Sequence, residues 1–207
     1  MKTGHRLAPS IRLAVPLDAA AIAGIYRPAV VDAAISFEIE PPDAAEMDRR
    51  VQTTLMRTPW IVCECDDAIL GYAYAGRHRD RPAYQWSVDV SAYVLRDYRR
   101  AGIGSALYTS LFAVLELQGF RNAYAGITLP NPASLALHAR VGFTPVGVYR
   151  NVGYKLGSWH DVQWLERGLA PHTREPSAPT PLTDVRGLPE LEIALASGVS
   201  CLRPPFV

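Results

Sequence analysis

Hydrophobic and polar positions along this chain switch between a two-residue and a three-to-four-residue period, and that succession predicts the elements. Ile11-Arg12-Leu13-Ala14-Val15 alternates as a short strand. Asp18 then stands as N-cap to an alanine-rich helix with Ile22, Ile25, Tyr26 and Ala29 on one face. Pro28 is expected to kink or end that helix. Ser36-Phe37-Glu38 falls in a loop before Pro41-Pro42; Asp43 caps a second helix carrying Met47, Val51 and Leu55, and Pro59 stops it. Trp60 to Cys65 and Ala68 to Ala75 are apolar runs joined by Asp66-Asp67, an antiparallel hairpin. In the next strand, Tyr84 to Leu95, Trp86, Val88, Val90 and Ala92 alternate with Ser87, Asp89, Ser91 and Tyr93, so Asp89 and Tyr93 share a face. A helix follows from Ile103 to Gln118 and closes at Gly119. Phe120 to Thr128 is a strand, Asn131-Pro132 opens a short helix ending at Gly142, and Phe143 to Arg150 with Lys155 to Glu166 forms a closing hairpin. The order β-α-α-β-β-β-α-β-α-β-β predicts a mixed sheet with helices packed on it, an α/β class protein.

After Gly168 the periodicity fades. Residues 170–207 hold seven of the 17 prolines. Residues 1–169 are therefore expected to form the folded domain, and 170–207 a Pro-rich tail, linker-like or partly disordered, with room for a turn or two of helix at Leu188 to Leu195. A net charge of +1 points away from nucleic acid and from charged membrane surfaces. No apolar run approaches a membrane span, and Met1 to Arg6 lack a signal-peptide core. Cys63 and Cys65 stand two apart in one strand and Cys201 lies in the tail, so neither a disulfide framework nor a metal site is expected, and the location is expected to be cytoplasmic.

The chemistry concentrates in Arg99-Arg100-Ala101-Gly102-Ile103-Gly104-Ser105, between a strand and a helix. Glycines permit unusual dihedrals, and a helix start offers unpaired N–H groups and a positive dipole end, which together suit an anion. A dinucleotide fingerprint fails, because Leu107 stands where the third glycine belongs, and no Gly-Lys-Ser/Thr ending marks a P-loop. An ordinary strand-to-helix turn is the plainer alternative.

This turn resembles the acetyl-CoA pyrophosphate loop of the GNAT N-acetyltransferases, and the element order agrees with that fold. A closer resemblance, to phosphinothricin and methionine sulfoximine N-acetyltransferases, rests on Ile35-Ser36-Phe37-Glu38, Gly71 to Gly76, Arg81-Pro82-Ala83-Tyr84, Leu129-Pro130-Asn131, His138 to Phe143 and Gly157 to Val162. It covers about residues 10 to 168. It implies a mostly antiparallel sheet of about six to seven strands, splayed at the acetyl-CoA site and flanked by about four helices. It also implies a homodimer, and direct transfer of acetyl to the α-amino group of a small amino acid or analogue with both substrates bound.

Residue by residue, the resemblance assigns acetyl-CoA to Tyr93, Val94, the turn Arg99, Arg100, Ala101, Gly102, Ile103, Gly104 and Ser105, and to Asn131 and Ser134. A bulge in the strand Asp89 to Leu95 would supply the amide that polarises the thioester. Asp89 stands where the family carries a glutamate base; one methylene shorter, it is expected to work through water, or else only to bond its neighbours. His138 matches a family histidine that orients substrate or moves a proton, with a structural role as the alternative. Arg79 and Arg81 are matched to the acceptor's acidic groups, with Arg77 and His78 adjacent to them, and Phe37 and Tyr84 line the acceptor pocket or pack the core. Tyr108 is placed near the sulfur, and Trp159-His160-Asp161 is structural or dimer-forming. Two further functions stay open: a peptide N-terminal acetyltransferase, and an acetyl-CoA-binding sensor with impaired catalysis.

Overall fold

Seven strands form one open sheet, ordered β1-β2-β3-β4-β5-β7-β6. They are β1 (Ser10–Leu13), β2 (Trp60–Cys65), β3 (Ala68–Arg77), β4 (Ser87–Val94), β5 (Asn122–Thr128), β6 (Thr144–Lys155) and β7 (Ser158–Gly168). The computed structural model describes residues 8–203; residues 1–7 and 204–207, the ends of the two predicted segments, lie outside the described residues. β4 and β5 run parallel and every other pair is antiparallel. A parallel pair needs a crossover, here α3 (Ile103–Gln118).

The β4–β5 ladder is short. It pairs Ser87 with Asn122, Val88 with Ala123 and Asp89 with Tyr124, and then stops. Against β3, in contrast, β4 stays paired from Arg77↔Val88 to Gly71↔Val94. The sheet therefore opens between β4 and β5 just beyond Asp89. The bulge expected in β4 is not there: its register against β3 has no shift, and the shifts fall in the β2–β3 and β6–β7 ladders. Leu95 N–H donates to Leu70 O at 2.9 Å. Odd-numbered residues of β4 thus bond β3, and the antiparallel alternation turns the N–H and C=O groups of Val90, Ala92 and Val94 toward the opening.

Helices α1 (Ala19–Val31) and α2 (Ala44–Leu55) cover the face that carries Tyr72, Tyr93 and Asp89; α3 and α4 (Pro132–Arg140) cover the other. Ile22, Met47 and Val51 are buried on one side, and Ile103, Leu107 and Leu111 on the other. Gly71 sets the height of α3, because a Cβ there would press on Ile103 and on the backbone of β4. Asp43 caps α2, accepting from Glu46 N–H at 2.8 Å. Asp18 makes no cap bond to α1. Its carboxylate turns back to Val15 N–H at 2.9 Å and to the guanidinium of Arg12 at 2.7 and 2.9 Å. Nor does Pro28 end α1, which continues to Val31. Pro28 and Gly24 lie on the exposed side, where water can satisfy the carbonyl that proline leaves free.

Residues 179–203 differ from the linker-like expectation. Thr180 N–H donates to Gln118 O at 2.7 Å, and the buried Gln118 amide bonds both Arg57 O and Thr180 O at 2.8 Å. From there α5 (Leu182–Val185) and α6 (Pro189–Ala196) carry the chain back, α6 lying along α3, with Leu182, Val185, Leu191, Leu195 and Leu202 buried. Ser110 of α3 donates to Leu195 O at 2.6 Å and accepts from Gly198 N–H at 3.1 Å. The segment ends at the glycine turn, where Arg203 N–H donates to Ala101 O at 3.0 Å. Its apolar residues are too unevenly spaced to read as a period; most meet the body, while Leu188 and Ile193 stay exposed.

Candidate active site

The acceptor-side chemistry gathers around Asp89, the last β4 residue paired with β5. His78 follows the end of β3, and its Nδ1 lies 2.6 Å from Asp89 Oδ1. Gly76 is the residue opposite Asp89, which places His78 two residues beyond it on the same edge of the sheet. The imidazole stacks on Tyr124 at 4.4 Å and 20°, with Tyr84 and Trp164 edge-on at 5.9 and 6.2 Å. The His78 side chain is 12% exposed and that of Asp89 37%. Burial pushes the Asp89 carboxyl above its ordinary value, while the His78 hydrogen bond and then the charges of His78 and Arg79 pull it down. The guanidinium of Arg79 lies 5.6 Å above the Trp164 ring, and the buried indole N–H of Trp164 has no acceptor among the described residues.

At the far end of β4 lies the Arg99–Ser105 turn. Arg100 and Gly102 both adopt left-handed backbone, φ 67° and 83°, and curl the chain into the start of α3. Ala106 N–H is the first to bond within the helix, at 2.9 Å to Gly102 O. The N–H groups of Ile103, Gly104 and Ser105 have no protein acceptor among the described residues, and the glycine N-cap offers no side chain to fill them. With the exposed Arg99 and Arg100 beside them, this donor set fits a pyrophosphate. The glycines themselves have close protein neighbours. A Cβ on Gly104 would meet Leu137 of α4, and one on Gly102 would collide with the carbonyl of Cys201.

Asn131 caps α4 through Ser134 N–H at 3.2 Å. His138 is 4% exposed, and both its ring nitrogens are engaged. Nδ1 donates to Ser134 O at 2.8 Å, so Nε2 accepts from Tyr108 O–H at 2.9 Å. Burial lowers its pKa against that carbonyl bond, which keeps the ring neutral. His138 packs on the α3 side with Tyr108 and Phe143, so the structure does not bring it together with Asp89.

Tyr93 packs its ring against Tyr26 at 5.0 Å and Tyr72 at 5.3 Å. A cavity of about 160 Å³ opens beside them, lined by Tyr26, Arg50, Trp60, Tyr72 and Tyr74. Arg50 is already paired with Glu38 at 2.7 Å and Glu46 at 2.8 Å. Phe37 stands off from Asp89, packed on Gly153 and 6.2 Å from the His160 ring. Its loop is tied to the β6–β7 hairpin by Lys155, whose buried ammonium donates to Val30 O and Ser36 O at 2.6 Å each. Arg81 lines a shallow cleft together with Arg79, Arg77, Arg57 and Val88. Of the two loop arginines, Arg79 is the one that also stacks on Trp164. In sequence reasoning His78 stood only as an alternative to the loop arginines for the acceptor's acid group, and Trp164 was not singled out. The usable signal was the β3–β4 pairing, which sets Gly76 against Asp89 and His78 two residues on.

A family model described as an acetyltransferase (GNAT) domain matches residues 11–164. The phosphinothricin N-acetyltransferase of Streptomyces viridochromogenes is 37% identical over 175 residues, 84% of this chain and 93% of that protein. A methionine sulfoximine/methionine sulfone acetyltransferase of Pseudomonas aeruginosa is 32% identical over 172 residues, 82% of this chain and all of that one. Among solved structures, a phosphinothricin acetyltransferase from Sinorhizobium meliloti in complex with acetyl-CoA superposes with a TM-score of 0.77 at 35% identity, covering 83% of this chain and 94% of that one.

Proposed function

We propose a function from one premise: the chain belongs to the GNAT acetyltransferase family. It is an N-acetyltransferase that carries acetyl from acetyl-CoA to the α-amino group of a small amino acid or analogue of the phosphinothricin or methionine sulfoximine type, in a ternary complex. The observation that carries this reading is the opening between β4 and β5, with an anion-binding turn at one end and the His78–Asp89 pair at the other. Acetyl-CoA supplies an activated acyl group with a thiol leaving group. The turn Arg99–Ser105 holds its pyrophosphate by backbone amides and arginine charge, with Asn131 and Ser134 nearer the pantetheine. The N–H groups of Ala92 and Val94 face the opening and supply the polarising donors that a bulge was expected to provide.

On the acceptor side, Arg79 over Trp164 offers a planar cation for the acid group, and Tyr84 closes that flank. Arg81, in the same cleft as Arg79, adds positive charge to that side. His138 is a neutral acceptor that takes the hydrogen bond of the buried Tyr108 hydroxyl and so fixes that ring on the cofactor side. The small-molecule acceptor is favoured over a peptide because the arginine needs a free acid group to bind. Exposed Tyr149, Tyr154, Leu156 and Trp159 on the β6–β7 hairpin support a homodimer, and we assign the protein to the cytoplasm, serving detoxification.

Thiol release from acetyl-CoA with phosphinothricin, methionine sulfoximine, methionine sulfone and N-terminal peptides tests the reading. Turnover on the amino-acid analogues is expected. Turnover on peptides alone makes the chain a peptide N-acetyltransferase, and tight acetyl-CoA binding without turnover makes it a sensor.

A further inference from the structure

We infer that His78 is the proton acceptor of the acetyl transfer and that Asp89 is the residue that positions it. This rests on the acetyl-transfer reading above. A carboxylate oxygen only accepts, so the 2.6 Å contact requires a proton on His78 Nδ1, and in the neutral ring Nε2 then carries the lone pair. No described residue is hydrogen-bonded to Nε2. The ring is clamped flat on Tyr124 and edged by Tyr84 and Trp164, so its direction is set on every side. His138 offers the contrast: it is buried, and both of its nitrogens are bonded to protein. Asp89 alone is a short acid with one oxygen committed; the imidazole extends its reach by the width of a ring. A carboxylate–imidazole pair of this kind fixes the tautomer and stabilises the imidazolium that forms.

The step balances as follows. His78 Nε2 takes one proton from the acceptor's ammonium, and the freed nitrogen lone pair forms the C–N bond to the acetyl carbon. The C–S bond breaks and the sulfur leaves with its electron pair. A second amine proton offsets the one the sulfur acquires, and the third stays on the amide. The imidazolium then returns its proton to water. The groups facing His78 are Asp89 from β4, Tyr124 with Glu166 beyond it from β5 and β7, Tyr84 and Arg79 from the loop, and Trp164. Asp89 is the anion in direct contact.

His78→Asn keeps an N–H aimed at Asp89 and removes the base. With phosphinothricin, kcat/KM is expected to fall by about 100-fold or more, while acetyl-CoA affinity by calorimetry stays at the wild-type value. Asp89→Asn should lower kcat with little change in KM and shift the His78 tautomer seen by nitrogen-15 NMR, a readout that a merely structural role would not move. A His78→Asn enzyme within twofold of wild type overturns the assignment. Nitrogen-15 NMR of the histidines in the unliganded wild type reads the same claim without turnover or a variant that must fold: Nδ1-protonated His78 is expected, and an Nε2-protonated ring overturns it. If the wild type turns over none of the amines, the acetyl-transfer reading fails instead, and the tautomer decides the pair.

Discussion

Asp89 is a carboxylate partly withdrawn from water, its side chain 37% exposed. Its proton is bound more tightly in the folded chain than in the unfolded one, because burial outweighs the pull of His78 and Arg79. The sign follows: the contribution to stability is fully present below the unfolded carboxyl range and is lost as pH climbs through the raised folded value. Asp89→Asn is therefore expected to raise the melting temperature at pH 7, with the gain vanishing at about pH 3, below the ordinary carboxyl range. Calorimetric melts across that range check it, and no gain at pH 7 would show that the bond to His78 outweighs desolvation. Gly102 makes a second case. Alanine there must take φ 83° and meet Cys201 O, so Gly102→Ala should cost about 1–3 kcal/mol in urea melts and weaken acetyl-CoA binding. The two glycines were legible from turn chemistry, whereas Asp89 was singled out through the family resemblance, alternation giving only the face it shares with Tyr93. The role of His78 was not legible, because it depends on how β3 and β4 are registered, and a one-residue slip would have moved its ring to the other face.

At the scale of elements, the helical and strand periods translated directly into structure wherever apolar residues faced a single layer, as in α2. Boundaries moved where local geometry intervened. β4 begins at Ser87 rather than Tyr84, because Pro82–Tyr84 makes a tight helical turn that lends Tyr84 to the His78 ring. α1 tolerates Pro28 because its lost bond faces water. Gly24 on that same exposed face has open space where a methyl group would stand, so Gly24→Ala should stabilise α1 by about 0.5–1 kcal/mol, measured by urea unfolding, with thiol release unchanged. The end of the β4–β5 ladder was expected from the family resemblance and not from any residue pattern, since nothing in a run of alternating side chains says where two neighbouring strands part.

For the whole molecule, the seven strands and the helices on both faces followed from the order of periods, while the path of residues 179–203 did not. Prolines and irregular spacing hide a segment whose partners, Arg57, Ser110 and Gln118, lie far away in the chain. That segment closes on the turn proposed to hold the pyrophosphate: Arg203 N–H donates to Ala101 O, and Cys201 O lies where a Cβ on Gly102 would stand. The two events therefore share a free energy, since whatever tightens the turn also tightens the clasp. Acetyl-CoA should slow proteolytic trimming of the C-terminal residues several-fold, and removal of residues 199–207 should loosen acetyl-CoA binding by a matching factor. Equal trimming rates with and without acetyl-CoA would show the two to be independent. By this linkage the carboxyl end of the chain is a gauge of cofactor occupancy, readable from outside the active site.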